Sequence, residues 1–219
     1  MGRLITPTRR GLLTGAAALA AFAALPHQGH AGGLHGHGGG AGGGSATFNP
    51  ADKSANITLS GGDLIATSGS ANAAVRSIAS HATGKYGFSW SALTGSSKVG
   101  ICLATDSLTS DIAGEPGAYA LFAAGDQIYH GGSGAGMPAA STPATSGVFV
   151  FDFTNHLGWV WNPALVLWNN NGSADPAAGT GGFTIASGTY FGVFGGSSTD
   201  TATFNFATPT LPSGFSAWG

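Results

Sequence analysis

The sequence predicts an all-β protein, a two-sheet antiparallel β-sandwich preceded by a disordered N-terminal segment. Three observations predict it. From Phe48 onward, apolar side chains recur at every second residue, the period of a strand and not of a helix. Turn-forming clusters interrupt these runs at short intervals: Gly61-Gly62-Asp63, Thr94-Gly95-Ser96-Ser97, Gly131-Gly132-Ser133-Gly134, Asn170-Asn171-Gly172 and Gly195-Gly196-Ser197. Only 7% of the side chains are charged, against about a quarter in a typical soluble domain. Polar surface must then come from Ser, Thr and Asn, which favour turns and strands over long solvated helices.

In chain order, residues 1–31 have the composition of an export signal. Thr8-Arg9-Arg10-Gly11-Leu12-Leu13-Thr14 places two arginines ahead of an uncharged apolar run ending at Leu25. That run is shorter than the roughly 20 residues a membrane helix needs, so it suits a cleavable leader. The arginine pair resembles the twin-arginine export signal, with Thr14 where that pattern has Lys; an ordinary secretory signal is the alternative. Cleavage is expected after Ala31, with Ala23 a rival site. Removing residues 1–31 takes Arg3, Arg9 and Arg10, so seven basic side chains become four against nine acidic ones. Residues 32–46 form a Gly- and His-rich linker in which only Leu34 has a sizeable apolar side chain. Residues 47–219 are expected to fold as one domain.

Within that domain, Tyr86, Phe88 and Trp90 share one strand face, with Gly87, Ser89 and Ser91 on the other. Val99, Ile101 and Leu103 repeat the pattern, as do Phe149, Phe151 and Phe153, and then Phe204 and Phe206. The segment 71–81 is the one place where a helical turn competes, and strand is the better reading. Roughly a dozen short strands follow from this spacing, as in a sandwich or barrel. A membrane barrel shares the alternation and the scarcity of charge, but it fits poorly with an export route that carries folded proteins.

Composition also excludes functions. A net charge of −2 offers nothing to neutralise a row of phosphates, so no nucleic-acid partner is expected. The lone Cys102 rules out an internal disulfide and a cysteine-based metal cluster.

The order of motifs in the body resembles that of SPRY domains, sandwiches of concanavalin-like topology. Val75-Arg76-Ser77 and Gly84-Lys85-Tyr86-Gly87-Phe88-Ser89-Trp90 are similar to that family's early arginine and its Gly-Lys-aromatic strand. Val99-Gly100-Ile101 matches the strand after it. Gly147-Val148-Phe149-Val150-Phe151-Asp152, then Trp159-Val160-Trp161-Asn162 and Leu167-Trp168-Asn169, resemble the central strands. Asn205-Phe206 and Pro212-Ser213-Gly214-Phe215 resemble the closing segment. The passage through Asp175 to Gly181-Gly182-Phe183 is similar to the bacterial and phage variety. The resemblance covers residues 47–218, departing at Ala207, where the family has Gly. It implies a non-catalytic recognition module, usually for protein or peptide, without naming the partner.

An enzymatic reading needs reacting groups. A glycosidase on such a sandwich needs paired carboxylates, and the chain holds one glutamate, Glu115. A pair built from aspartates is possible in principle, with Asp106 and Asp111 in one loop and Asp152 in a strand, but the loop spacing fixes no separation and solvated loop carboxylates are the simpler interpretation. No Gly-x-Ser-x-Gly elbow is present, and Cys102 sits in a strand expected to be covered on both faces. The segment 169–175 places amide and carboxylate oxygens around Gly172 as calcium loops do, but lacks their alternating carboxylates. No cofactor or metal is expected. Trp159 and Trp161 share a strand side, which in a sandwich is more often core than a sugar-stacking platform.

The expected function is therefore an exported binding module gripping a protein or peptide through the loops 106–116, 131–147 and 169–182. The candidate ligand-binding residues are Asp106, Asp111, Tyr129, His130, Asn170, Asn171 and Asp175. The alternatives are a carbohydrate-binding or cell-surface structural protein, and a polysaccharide-active enzyme of concanavalin-like fold.

Overall fold

The computed structural model describes residues 46–123, 127–134 and 145–219. The expected leader, nearly all of the linker and residues 135–144 of the predicted 131–147 loop lie outside them. The strands are β1 (Phe48–Lys53), β2 (Ile57–Ser60), β3 (Ile65–Ser68), β4 (Ala73–His81), β5 (Lys85–Ser91), β6 (Lys98–Leu103), β7 (Tyr119–Phe122), β8 (Gln127–His130) and β9 (Ser133–Gly134). They continue with β10 (Gly147–Asp152), β11 (Leu157–Asn162), β12 (Leu167–Trp168), β13 (Phe183–Thr184), β14 (Tyr190–Gly196), β15 (Thr201–Asn205) and β16 (Ser216–Ala217). Among the described residues the one helical element is a 3-10 turn, Ile112–Gly114. The strands beyond the expected dozen include the two-residue pairings β9, β12, β13 and β16, too short to show a period.

Two sheets form the sandwich. One runs β1-β4-β14-β6-β7-β8-β9; the other runs β12-β11-β10-β5-β15-β3-β2, with β13 against β11 and β16 against β5. Every pairing is antiparallel except β16 with β5. The segment 71–81 is strand from Ala73 onward, as expected, because Ala73, Val75 and their neighbours are buried on both sides of β4.

Directly opposed residues share a sheet face, so the register identifies the core. Phe88 faces Phe149 on β10, and Phe149 faces Val160 on β11; Phe204 faces Trp90. These side chains close the space between the sheets together with Phe48, Phe151 and Phe206. Phe48 and Phe204 meet edge to face at 4.7 Å, and Phe88 stacks on Phe204 at 5.4 Å. Each such ring adds about 1.5–3 kcal/mol by burial, and favourable ring pairs add about 0.5–1.5 kcal/mol. A charge-poor chain thus has ample driving force without a disulfide.

The outer face of the β4-β14-β6-β7 sheet carries a second, smaller core of Ala74, Cys102, Ile112, Ala118, Ala120 and Val193. It is roofed by the segment 106–118. Gly195, expected in a turn, is instead near the end of β14; a methyl group there would come within 2.6 Å of Ile112, so glycine allows the roof to sit close. The turn follows at 197–200, closed by Asp200 N–H donating to the Ser197 carbonyl at 3.1 Å.

Candidate functional site

The roof is held from below by Arg76. Its guanidinium, buried on β4, donates to the Leu103 carbonyl at 3.1 Å, to the Asp106 carbonyl, and to both carboxylate oxygens of Asp52 at 3.0 and 3.2 Å. Its planar fork of donors suits this several-way anchorage. Asp106 completes the knot, accepting from Leu103 N–H at 2.8 Å and Gly117 N–H at 3.0 Å. Asp106 is therefore buried and turned to the backbone, contrary to its reading as a solvated loop carboxylate. The reason is the sharp return of the chain from β6, which leaves inward amides needing an acceptor. Glu115 does similar service, accepting from Ser107 N–H at 3.0 Å and the Ser110 hydroxyl at 2.6 Å.

At the other end of β6 from this knot lies a cleft of about 240 Å³ lined by Lys98, Asp111, Ala113, Gly114, Phe122, Tyr129 and Gly132. Asp111 caps the 3-10 turn, accepting from Ala113 N–H at 3.1 Å. Gly132 N–H donates to the Ala113 carbonyl at 2.9 Å, and Gly131 N–H to the Glu115 carbonyl at 3.2 Å, tying the β8–β9 turn to the roof. Both glycines have positive φ, 57° and 78°, which a side chain would strain. Lys98 projects from the outer face of β6, its Nζ 3.2 Å from Asp111 Oδ1 and 5.1 Å above the Phe122 ring. Tyr129 meets Phe122 edge to face at 6.1 Å. The lysine side chain is 11% exposed and the Asp111 side chain 49%. The cation is thus turned inward, and the lip presents a carboxylate beside a phenol.

The predicted residues separate into three groups. Asp111 and Tyr129 meet in this cleft; Asp106 does not line it and is bound to Leu103 and Gly117 amides at the other end of β6. His130, the neighbour of Tyr129 in sequence, points to the other side of β8: it stacks on Tyr119 at 4.2 Å, with Nδ1 3.0 Å from the Ala118 carbonyl. Asn170, Asn171 and Asp175 lie beyond β12, by the other sheet. There Asn170 Oδ1 accepts from Asn162 at 3.2 Å, Asn171 Oδ1 from Ser173 N–H at 3.0 Å and Asp175 Oδ1 from Ala177 N–H at 2.9 Å. These oxygens serve local turns and do not converge on one point. Lys98 and Phe122 are the cleft residues that sequence reasoning missed. A lysine inside the apolar run 98–103 of a chain with so few cations was the available signal.

Trp159 and Trp161 do not face the inter-sheet core. Val160 takes that side, opposite Phe149, and both tryptophans lie on the outer face. Trp159 is nonetheless buried, since its indole N–H donates to the Thr180 carbonyl at 2.8 Å beneath the 180–183 segment, and Phe215 packs edge-on at 6.2 Å. Trp161 is half-buried against Trp168 at 5.3 Å. Cys102 is covered on both faces as expected, and burial pushes its thiol up to about 12 despite the nearby Arg76. It is no nucleophile at neutral pH. Asp152 is buried too; burial opposes its charge, but hydrogen bonds from Asn155 and the Lys85 ammonium at 3.3 Å hold its carboxyl below the ordinary range.

No protein family and no curated protein matches the sequence. Solved structures do match the fold. The TRIM65 PSpry domain aligns with a TM-score of 0.55 at 14% identity, over 72% of this chain and 87% of that one. The SPRY domain of human HERC1 aligns at 0.52 and 13% identity, over 72% and 96%. Stonustoxin aligns at 0.54 and 12% identity, over 72% of this chain and 26% of its own length. The chain therefore has a SPRY-like β-sandwich fold.

Proposed function

We propose that this protein is an exported, non-catalytic interaction module that takes a protein or peptide segment in the cleft between the 3-10 turn and β8. The observation that carries this reading is the cleft's makeup: a half-exposed carboxylate, two aromatic rings and glycine backbone on a buried, cross-tied base. A volume of about 240 Å³ is below the roughly 300–1,000 Å³ of sites that enclose a small molecule. It suits one or two side chains of a longer partner. Asp111 at the lip favours a basic or hydrogen-bond-donating residue, and Phe122 and Tyr129 favour an apolar or guanidinium plane against them. The SPRY-like fold supports a recognition role by analogy.

The chemistry of the acids supports a non-catalytic role. Asp106 and Glu115 spend their oxygens on the roof, as described above, and Asp200 on Ser96 and Ser197 amides at 3.1 and 2.8 Å. Export follows from residues 1–31, and the division into leader, linker and sandwich is part of the same proposal.

Selecting peptides from a random display library on the full chain tests the reading. Selected peptides should be rich in Arg, Lys or aromatic residues and should bind about tenfold more weakly to Tyr129→Ala or Asp111→Asn, a loss of about 1.4 kcal/mol. Binding unaffected by both substitutions would exclude this cleft. Binding to an immobilised glycan panel with no peptide enrichment would favour the carbohydrate alternative.

A further inference from the structure

The hairpin between β11 and β12 carries an unusual end. Its tip, 163–166, reads Pro-Ala-Leu-Val and stands out from the sheet, with Leu165 40% and Val166 67% exposed. No charged residue occurs from position 157 to 169. The nearest ion pair on these strands, Lys85 with Asp152, is at the far end of the β10–β11 ladder, where Asp152 faces Leu157. Two residues behind the tip, Trp161 and Trp168 oppose each other across the hairpin, 5.3 Å apart and inclined at 56°. With Val148, Thr210, Leu211 and Pro212 they line a groove of about 390 Å³. Tip and groove are thus separated along the hairpin by the single pair Asn162 and Leu167.

Two further features identify the kind of medium this surface suits. Two of the tip's three amide N–H groups are met within the hairpin. Pro163 has no amide N–H, Ala164 N–H donates to Asn162 Oδ1 at 3.0 Å, and Val166 N–H donates to the Asn162 carbonyl at 2.9 Å. Where water is absent an unmet amide is costly, so such a tip can enter an apolar phase without exposing those donors. Val166 also sits at φ +57°, a conformation that a β-branched residue rarely adopts and that Asn or Gly would take easily. An apolar side chain thus stands at an exposed point of the hairpin although a polar one would fit the backbone better.

We propose that this hairpin is a shallow membrane anchor. Leu165 and Val166 enter the boundary between headgroups and acyl chains of a zwitterionic bilayer, and Trp161 and Trp168 settle at headgroup level. Amphipathic indoles prefer that depth. A sugar would need more polar partners than two indole N–H groups and the Thr210 hydroxyl provide. A peptide partner would use free backbone donors, and this tip has few to give. With a net charge of −2 and a neutral hairpin, attraction to anionic lipid plays no part, so binding should persist in high salt.

The test places a polarity-sensitive fluorophore on Leu165→Cys in the full chain. Cys102 is buried with its thiol pushed up to about 12, so it stays unlabelled. A control chain carries the probe on Ala55→Cys. Because the apolar run ending at Leu25 could hold the chain on lipid by itself, the readout is local rather than total binding. With phosphatidylcholine vesicles, the probe at 165 should shift to the blue and be quenched by doxyl groups near the headgroups, while the probe at 55 should not respond. Adding Val166→Asn should weaken the response about tenfold while raising the urea midpoint, so a binding loss cannot be a folding loss. A probe at 165 that remains in water with vesicles present would overturn the proposal. So would a response that Val166→Asn leaves intact, or shielding by protein but not by lipid.

Discussion

At the scale of single residues, the structure concentrates its few charges where they brace the backbone. Arg76 joins β4, the end of β6 and the 106–118 roof through four acceptors, and it has no aqueous alternative. Arg76→Ala would strand the Leu103 and Asp106 carbonyls and the carboxylate of Asp52. Breaking a buried pair by removing one partner costs about 3–5 kcal/mol, and a half-exposed Asp52 brings the expectation to the low end, about 3 kcal/mol. Urea unfolding followed by tryptophan fluorescence measures this. A loss under about 1 kcal/mol would mean that the roof is held by the small apolar core under it instead. The same economy separates Asp111 from Asp106. Five positions apart, one carboxylate faces outward at the cleft lip and the other is spent on Leu103 and Gly117 amides. Nothing local in the sequence distinguishes them, since the difference is made by Gly117, which returns to Asp106 only after the loop has closed.

At the scale of elements, the outer face of β11 depends on one latch. Asn169, buried beside the strand, accepts from Val160 N–H at 2.8 Å and donates to the Gly181 carbonyl at 2.8 Å. It thereby holds the 170–182 segment over Trp159. Asn169→Ala should cost about 2–3 kcal/mol through stranded polar groups and should red-shift the tryptophan emission as Trp159 is uncovered. A destabilisation with no spectral change would detach the latch from the cover. Period-two patterning made the strands and their shared faces legible, as at Phe88 and Trp90 or Phe149 and Phe151. It could not say which face of β11 is core: Trp159 and Trp161 are the larger residues, yet Val160 lies opposite Phe149. Strand period fixes that alternate residues share a side, whereas the choice of side is set by what covers each one. On β11 the covers are 180–183 and the segment around Leu211 and Phe215, neither of which has a period to read. The candidate site was half legible for the same reason. Asp111 and Tyr129 stood out in their loops, but Lys98 and Phe122 are strand residues whose outward faces become a cleft only when the roof is in place.

At the scale of the whole molecule, stability should depend on acid. His81 lies between Tyr86, stacked at 3.5 Å, and Trp218, edge-on at 4.9 Å, with Nε2 2.7 Å from the Trp218 carbonyl. Burial lowers its pKa from the ordinary 6.5. The folded protein therefore resists a proton that the unfolded chain accepts, so this stabilisation is full above about pH 6.5 and is lost as pH falls through the lower folded value. The lowered Asp152 acts in a second window, below its ordinary 3.8. The urea midpoint should fall between pH 7 and 5, and His81→Gln should flatten that slope; a midpoint level across this range in the parent chain would contradict it. For the molecule as a binding module, the most direct test is hydrogen exchange on the full chain with a display-selected peptide bound. The cleft reading requires slowed exchange over 111–116 and 129–132, where the 3-10 turn and the β8–β9 turn meet. Protection confined to 161–171, or none in either region, would contradict it.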